Sequence, residues 1–186
     1  MMLRADCLSL ASAVARLKGD LAAAIRYAEE CLLIDRRNGD DEYISSSLNN
    51  IAGLYMTHGD AFTARKYIDE AIGLERKLNR RPYLAVRYGV ASEIYLKLGE
   101  AAQALEFAET ALQMDSTDGR WDKVAVRRSQ KAGILMEMGQ DGQAREELEK
   151  AYEECLEVCT DTGNKYIESR VRKDLWQRYR DTQKGT

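Results

Sequence analysis

Residues 47–64, SLNNIAGLYMTHGDAFTA, contain the pattern that decides the fold. A run of apolar and small residues ends at Gly59, Asp60 follows it, and a second run containing Ala64 begins. Glycine ends a helix at little cost because it adopts the left-handed conformation, and a short carboxylate accepts hydrogen bonds from the free N–H groups of the next helix. The stretch therefore predicts two helices joined by a tight turn.

The same pattern returns at a constant spacing of 40 residues, and small residues recur seven before, five after and twelve after each glycine. Small side chains at fixed positions let two helices approach closely, so each period predicts a helix A, a turn and a helix B. The glycines are Gly19, Gly59, Gly99 and Gly139; the small residues before them are Ser12, Ala52, Ser92 and Ala132; those after them are Ala24, Ala64, Ala104 and Ala144, then Cys31, Ala71, Ala111 and Ala151.

This phase predicts an all-α chain with nine helices. They are expected near residues 3–18, 21–36, 41–58, 61–78, 82–98, 101–115, 119–138, 141–160 and 164–182. The first eight form four repeats, at about 3–38, 41–78, 82–116 and 119–160. The ninth is predicted to cap the C-terminal end, so that residues 1–186 form one array.

Composition excludes several functional classes. Apolar types make up 45% and charged types 32% of the chain, and the formal net charge is −3, which fits a folded protein. The single histidine, His58, disfavours histidine-based metal sites and catalytic triads. No stretch reaches the roughly 18 apolar residues that a membrane span needs, so we expect no membrane partner.

The cysteines do not form a disulfide scaffold, since there are four in 186 residues. Cys155 and Cys159 are one helical turn apart, but no second pair of metal ligands is nearby. We therefore expect buried thiols, no metal site and no cofactor. A reducing cytoplasm is the predicted location. The run CLSLASAVA at 7–15 imitates part of a signal peptide, so a periplasmic or extracellular sensor segment stays open as an alternative. The cysteines are Cys7, Cys31, Cys155 and Cys159.

The repeat resembles the tetratricopeptide repeat (TPR), most closely at Ile51–Tyr55 with Gly59-Asp60, and again from Tyr88 to Asp115. The period of 40 is similar to that of the longer variants in kinesin light chains and bacterial regulators. The resemblance implies a right-handed α-solenoid of four TPR-like repeats plus a C-terminal helix. The sequence departs from the family where Arg128 and Lys131 stand at positions that are commonly apolar.

In the resembled family, the A helices line a concave groove that holds peptides. The resemblance therefore implies a non-enzymatic scaffold whose partner is another protein or a peptide and, more narrowly, the sensor or interaction segment of a bacterial regulator. Trp176, on the ninth helix, is either a core residue or an exposed anchor for a partner. The groove residues implied are Asn49, Gly53, Met56, Val86, Gly89, Glu93, Leu96, Lys97, Ser129, Gly133 and Met136.

Two readings stay open for these residues. Gly53, Gly89 and Gly133 each cost about 0.5–1 kcal/mol inside a helix, which close approach of a ligand or of a neighbouring helix would explain. Three further residues are spaced by 40, and such a row suits an apolar or amphipathic helical ligand but also ordinary packing between repeats. That row consists of Met56, Leu96 and Met136.

Asn49 also has two interpretations, because its amide suits either a peptide backbone or the solvent at a helix surface.

Other functional classes find less support. The sequence has no Gly-rich phosphate loop and no Gly-x-Ser-x-Gly motif, so it does not predict an enzyme. Residues 119–131 and 165–184 are locally basic, but the Glu-rich helix 141–160 between them is expected to neutralise a nucleic-acid site. An open helical edge also permits a homodimer.

Overall fold

In the computed structural model, residues 2–162 are described, with side chains for residues 5–154. This part of the chain consists of helices and tight turns, without a strand. The all-α prediction is confirmed, and the predicted boundaries agree within about two residues; the predicted helix 164–182 lies outside the described residues. The helices are α1 (Met2–Leu17), α2 (Leu21–Asn38), α3 (Asp41–His58), α4 (Ala61–Leu78), α5 (Arg81–Lys97), α6 (Ala101–Thr117), α7 (Trp121–Glu137) and α8 (Asp141–Thr162).

The four repeat glycines end the A helices as predicted, with φ between 73° and 92°. Asp20 and Asp60 then cap the following helices by accepting from the N–H groups of Ala23 and Thr63, each at 2.9 Å. The hydroxyl and N–H of Thr63 together hold the pKa of Asp60 below its ordinary value. Glu100 makes no such side-chain bond at the start of α6, since its longer side chain suits the capping position less well.

The small residues of the three predicted columns are buried between helices. All twelve residues predicted for this role are at most 8% exposed, and the alanines among them are fully buried. Their burial explains why the three columns keep small side chains while the positions between them vary.

The chain divides into two compact units, Met1–Leu98 and Gly99–Thr186. In the first unit each helix from α1 to α5 packs against the next, and α3 also contacts α5. In the second unit α7 packs against both α6 and α8. The boundary lies inside the predicted third repeat, and one array over residues 1–186 stays a prediction.

A column of buried carboxylates was not predicted from the sequence. Asp35, Glu75 and Asp115 are spaced by 40, lie near the ends of the B helices and are at most 4% exposed. Each meets a donor twelve residues further on, on the next A helix. The three contacts are Ser47 Oγ to Asp35 at 2.6 Å, Arg87 Nη2 to Glu75 at 3.2 Å and Arg127 Nε to Asp115 at 3.0 Å. We call these three acids the buried-acid column.

Arginines from the turns complete the second and third of these sites. Arg80 Nη2 lies 2.9 Å from Glu75, and Arg120 forms an ion pair with Asp115. Burial lowers the pKa of Arg87, which is only 5% exposed, while Glu75 opposes that shift. Neighbouring helices are therefore joined by charges as well as by apolar contacts.

The departures from the family pattern in the fourth repeat are also explained by ion pairs. Arg128 lies 2.8 Å from both Glu147 and Glu154 of α8, and Lys131 lies 3.0 Å from Glu109 and Glu147. Burial acts to raise the pKa of Glu147, but the hydrogen bonds from Lys131 and Arg128 lower it below its ordinary value. Two members of the Glu-rich face thus hold α8 to α7 instead of facing solvent.

A second contact repeats between A and B helices. The hydroxyl of Tyr55 donates to Glu29 at 2.8 Å, and the hydroxyl of Tyr95 donates to Asp69 at 3.1 Å. Burial, together with the bond to Glu29, raises the pKa of Tyr55 to about 12. The ring of Tyr55 also stacks on that of Tyr67, with centroids 5.6 Å apart.

Replacing a member of the buried-acid column should be costly. We expect Glu75→Gln to lower the free energy of unfolding by about 3 kcal/mol, because it leaves the guanidinium of Arg87 buried without a counter-charge. The matched control is Glu70→Gln, which removes an ion pair with Arg36 whose side chains are 47% and 45% exposed and should cost less than about 1 kcal/mol. Urea denaturation measures both, and equal costs would contradict the prediction.

Stability should also fall in alkali through Tyr55. The pKa of the Tyr55 hydroxyl is 10.0 in the unfolded chain and about 12 in the folded chain. The stabilisation that follows from this difference is complete below pH 10 and is lost as the pH rises to 12. We expect Tyr55→Phe to flatten the loss of unfolding free energy across this interval. Tyr43→Phe, which removes a hydroxyl from a 48% exposed residue, is the control and should keep the original slope.

Candidate functional site

A groove of about 360 Å³ lies in the first unit, between the A helices α1 and α3. Small side chains from α2 form part of its lining, and one residue of α5 contributes. Hydroxyl and amide groups predominate over large apolar side chains. The lining residues are Ser9, Ser12, Ala13 and Arg16 of α1, Ala28 and Cys31 of α2, Ser47, Asn49, Asn50, Gly53, Leu54 and Thr57 of α3, and Val90 of α5.

Two of the predicted groove residues, Asn49 and Gly53, line this groove. Six more belong to the same unit but do not line it. Gly89 is buried, Glu93 and Lys97 are exposed, and the other three are partly buried. Those three are Met56, Val86 and Leu96.

The remaining predicted residues are placed elsewhere. Ser129, Gly133 and Met136 are partly buried residues of the second unit. Met136 packs against the apolar cluster that includes Leu135. Trp176 lies outside the described residues.

The contribution of α1 to the groove was not predicted, although the sequence contained the signal for it. Ser9, Ala13 and Arg16 stand 40 residues before Asn49, Gly53 and Met56. Projecting the groove columns one repeat towards the N-terminus would have identified all three. The predicted groove residues began in the second repeat, so they included the α3 side of the groove and not the α1 side.

Asn49 is the polar residue in the groove whose bonding is incomplete. Its side-chain Oδ1 is buried and has no hydrogen-bond partner among the described residues. A buried acceptor without a donor costs about 1–3 kcal/mol, and a ligand that supplied an N–H group would remove that cost.

Gly53 presents open backbone to the groove. A Cβ added there would meet no heavy atom within 4 Å, so the neighbouring helix does not require glycine at this position. Gly73, in the interior of α4, is equally open but lies outside the groove. The two residues are therefore matched positions with different surroundings.

Charge in the groove comes from Arg16, the one ionisable side chain other than Cys31 among its lining residues. Burial raises the pKa of Cys31, which stays a thiol and donates to the carbonyl of Ala5 at 3.4 Å. The prediction of buried thiols is confirmed for Cys31 and wrong for Cys7, which is exposed; the side chains of Cys155 and Cys159 lie outside the described part. The groove is thus suited to hydrogen bonding.

Two kinds of feature are absent from the described residues. No set of histidine, cysteine and acidic side chains converges as metal ligands do. Of the helices between residues 2 and 162, none has both the length and the apolar character to cross a membrane.

Comparison with known proteins supports the repeat assignment. Residues 43–117 match the family model described as tetratricopeptide repeat, which confirms the predicted resemblance. None of the curated proteins compared with the chain matches its sequence.

Solved structures share the fold at low sequence identity. BtubC (BKLC) from P. vanneervenii has a TM-score of 0.75 and 18% identity over 83% of this chain, which spans 64% of that one. The TPR-like repeats of a putative kinesin light chain from Podospora anserina have a TM-score of 0.73 and 15% sequence identity, over 97% of this chain and 90% of that one. The apo form of RapI has a TM-score of 0.76 and 13% sequence identity, over 96% of this chain and 69% of that one. At these identities the likeness shows the fold alone.

The two open glycines predict a stability result. We expect Gly53→Ala and Gly73→Ala each to raise the free energy of unfolding by about 0.5–1 kcal/mol, because alanine restricts the unfolded chain and meets no obstacle in the helix. Chemical denaturation measures the change. A loss of stability at Gly53 would show that the folded chain itself needs glycine there.

Proposed function

We propose that this tetratricopeptide repeat chain is a non-enzymatic scaffold that holds a peptide segment of another protein in the groove between α1 and α3. The observation that carries the proposal is the buried, unpaired Oδ1 of Asn49 beside the open backbone of Gly53. Because the amide of Asn49 lines the groove, a small rotation of its side chain would turn this unpaired acceptor towards the N–H group of a peptide that lies close to Gly53.

The lining chemistry supports a peptide main chain over an amphipathic helix. A main chain presents alternating donors and acceptors, and the hydroxyl and amide groups of Ser9, Asn50 and Thr57 can satisfy both. A helix would present an apolar stripe, but its main-chain groups would already be bonded to each other. Met56 and Leu96, which suggested a helical ligand, do not line this groove.

The groove also lacks the arrangement that catalysis needs. Its lining contains no carboxylate, no histidine and no lysine, and Cys31 is held as a neutral thiol by burial. Nucleophilic or acid–base catalysis requires an activated group with a partner that accepts or supplies a proton. Binding is therefore the function that this chemistry supports.

Nucleic-acid binding is disfavoured by the ion pairs of the basic segment 119–131. Every lysine and arginine in it lies within 4 Å of an acidic side chain of the same chain, so a phosphate would have to compete with an existing partner. The basic residues are Arg120, Lys123, Arg127, Arg128 and Lys131. The second basic segment, 165–184, lies outside the described residues.

A narrower role, as the sensor or interaction segment of a bacterial regulator, remains part of the proposal. It rests on the 40-residue period, which is similar to that of TPR arrays in such regulators. A cytoplasmic location is proposed as well, because the sparse use of cysteine is typical of a reducing compartment.

The proposal can be tested with random linear peptides displayed on phage and selected against the whole chain. The most enriched peptide is synthesised, and its affinity is measured by calorimetry against variants. We expect Asn49→Ala and Gly53→Leu each to weaken binding about tenfold or more, since one removes a hydrogen bond and the other fills the groove.

Matched controls separate groove effects from general ones. Gly73→Leu places the same side chain at an equally open glycine outside the groove, and Asn38→Ala removes an exposed amide at the end of α2. Both should leave the affinity unchanged. Failure to enrich any peptide, or enrichment of peptides that are insensitive to Asn49→Ala and Gly53→Leu, would overturn the proposal.

A further inference from the structure

The buried-acid column keeps an acid at each of its three positions but has no base at the first. Each of the second and third acids pairs with two arginines, one from the next A helix and one from the turn before that helix. The residues at the same two positions beside Asp35 are Ser47 and Asp40. The arginine pairs are Glu75 with Arg87 and Arg80, and Asp115 with Arg127 and Arg120.

Asp35 is thus a buried carboxylate without a counter-charge among residues 5–154. It is 4% exposed, and the donors to its side chain are the hydroxyl of Ser47 at 2.6 Å and the thiol of Cys31 at 3.7 Å. No ion pair joins it to a lysine or arginine of this range. Two neutral donors compensate a buried carboxylate less well than a guanidinium does.

The groove reaches both donors of this carboxylate, because Ser47 and Cys31 belong to its lining. A group that contacts the Ser47 hydroxyl from the groove therefore lies one hydrogen-bond length from Oδ2 of Asp35. Burial raises the pKa of the Cys31 thiol, and the negative charges of Asp35 and Asp6 add to that shift. This end of the groove thus favours a cation.

We propose that the groove binds an arginine side chain of the peptide, whose guanidinium pairs with Asp35 as Arg127 pairs with Asp115. This inference rests on the proposed function and names the side chain that the groove selects. The chain itself supplies the precedent, since Arg127 Nε lies 3.0 Å from an aspartate at the same spacing of twelve residues. Serine at position 47 is too short to fill the space that an arginine side chain occupies there.

A guanidinium suits this position better than an ammonium group. It is planar and weakly hydrated, so its transfer to a buried carboxylate costs less. Its several N–H groups also point in fixed directions, so that it can donate to Asp35 and to the Ser47 hydroxyl at the same time. The groove is therefore expected to prefer arginine to lysine.

Arg16, the charged residue of the groove lining, lies too far along α1 to repel this guanidinium. The thiol of Cys31 donates to the carbonyl of Ala5, which marks the level of the Asp35 end on α1. Eleven residues of helix separate the backbones of Ala5 and Arg16 by about 16 Å, which is about twice the Debye length at physiological ionic strength. The two ends of the groove therefore differ in charge, and the arginine of a peptide is directed to the Asp35 end.

The test uses the peptides selected on the whole chain, and its probe is the most enriched one that loses affinity with Asn49→Ala and Gly53→Leu. We expect this peptide to contain an arginine whose replacement by citrulline, which has the same shape but no charge, weakens binding at least about tenfold in calorimetry. The same replacement should change the affinity of Asp35→Asn less than about twofold, since the carboxylate is gone. The matched control is Glu30→Gln, at an exposed carboxylate of α2, which should keep the full effect of citrulline.

A comparison of stabilities tests the same space without a peptide. Ser47→Arg restores the missing base, so we expect a higher urea midpoint than for Ser47→Gln, whose side chain is long and polar but uncharged. Adding Asp35→Asn to both should remove the difference. Ser47→Arg should also bind the arginine peptide no more tightly than the citrulline peptide, because the position beside Asp35 is already occupied.

The outcomes distinguish this inference from the proposed function. Peptides that need Asn49 and Gly53 but no arginine, a citrulline replacement without effect, or a Ser47→Arg chain no more stable than Ser47→Gln would each overturn the arginine site and leave the peptide scaffold standing. Selection of no groove-dependent peptide would overturn both. Should Asp35→Asn fail to fold, the citrulline comparison on the unaltered chain and the two Ser47 variants decide the matter.

Discussion

A carboxylate buried near the end of a B helix, bonded to the A helix that follows, is the contact on which the helix stack depends. Asp35, Glu75 and Asp115 are almost completely withdrawn from water, so each must keep its donor or remain as an uncompensated buried group. Because that donor stands twelve residues further on, it relates the position of the next helix to the one before. We infer that this fixes register, since the small residues at the closest approach would fit several registers equally well.

The same column explains why a groove opens in the first unit. The donor to Asp35 is Ser47, whereas the equivalent donors to Glu75 and Asp115 are Arg87 and Arg127. Serine satisfies Asp35 with a short side chain and leaves space beside it, and Ser47 lines the groove. A long guanidinium side chain at that position would occupy space that the groove requires. One substitution in a repeated contact thus converts a packing position into part of the groove.

The helices and their ends were predictable because they follow from local chemistry. Gly59 and Asp60 act within one turn of the chain, and the 40-residue phase repeats their effect. The buried-acid column was not predicted, since an isolated Glu75 is read as a surface residue until its distant partner Arg87 is known. The α1 side of the groove was not predicted for a different reason. Ser9 could have been identified from the 40-residue spacing, whereas the unpaired oxygen of Asn49 depends on packing that the sequence pattern does not show.

Helix α1 connects the groove to the buried core of the first unit. Its inner residues Ala5 and Leu8 pack around Cys31, and Cys31 also lines the groove. A ligand that displaced α1 would therefore have to disturb this buried cluster, and the free energy of that disturbance would be lost from the free energy of binding. The packing around Cys31 thus limits how far the groove can adapt to a ligand.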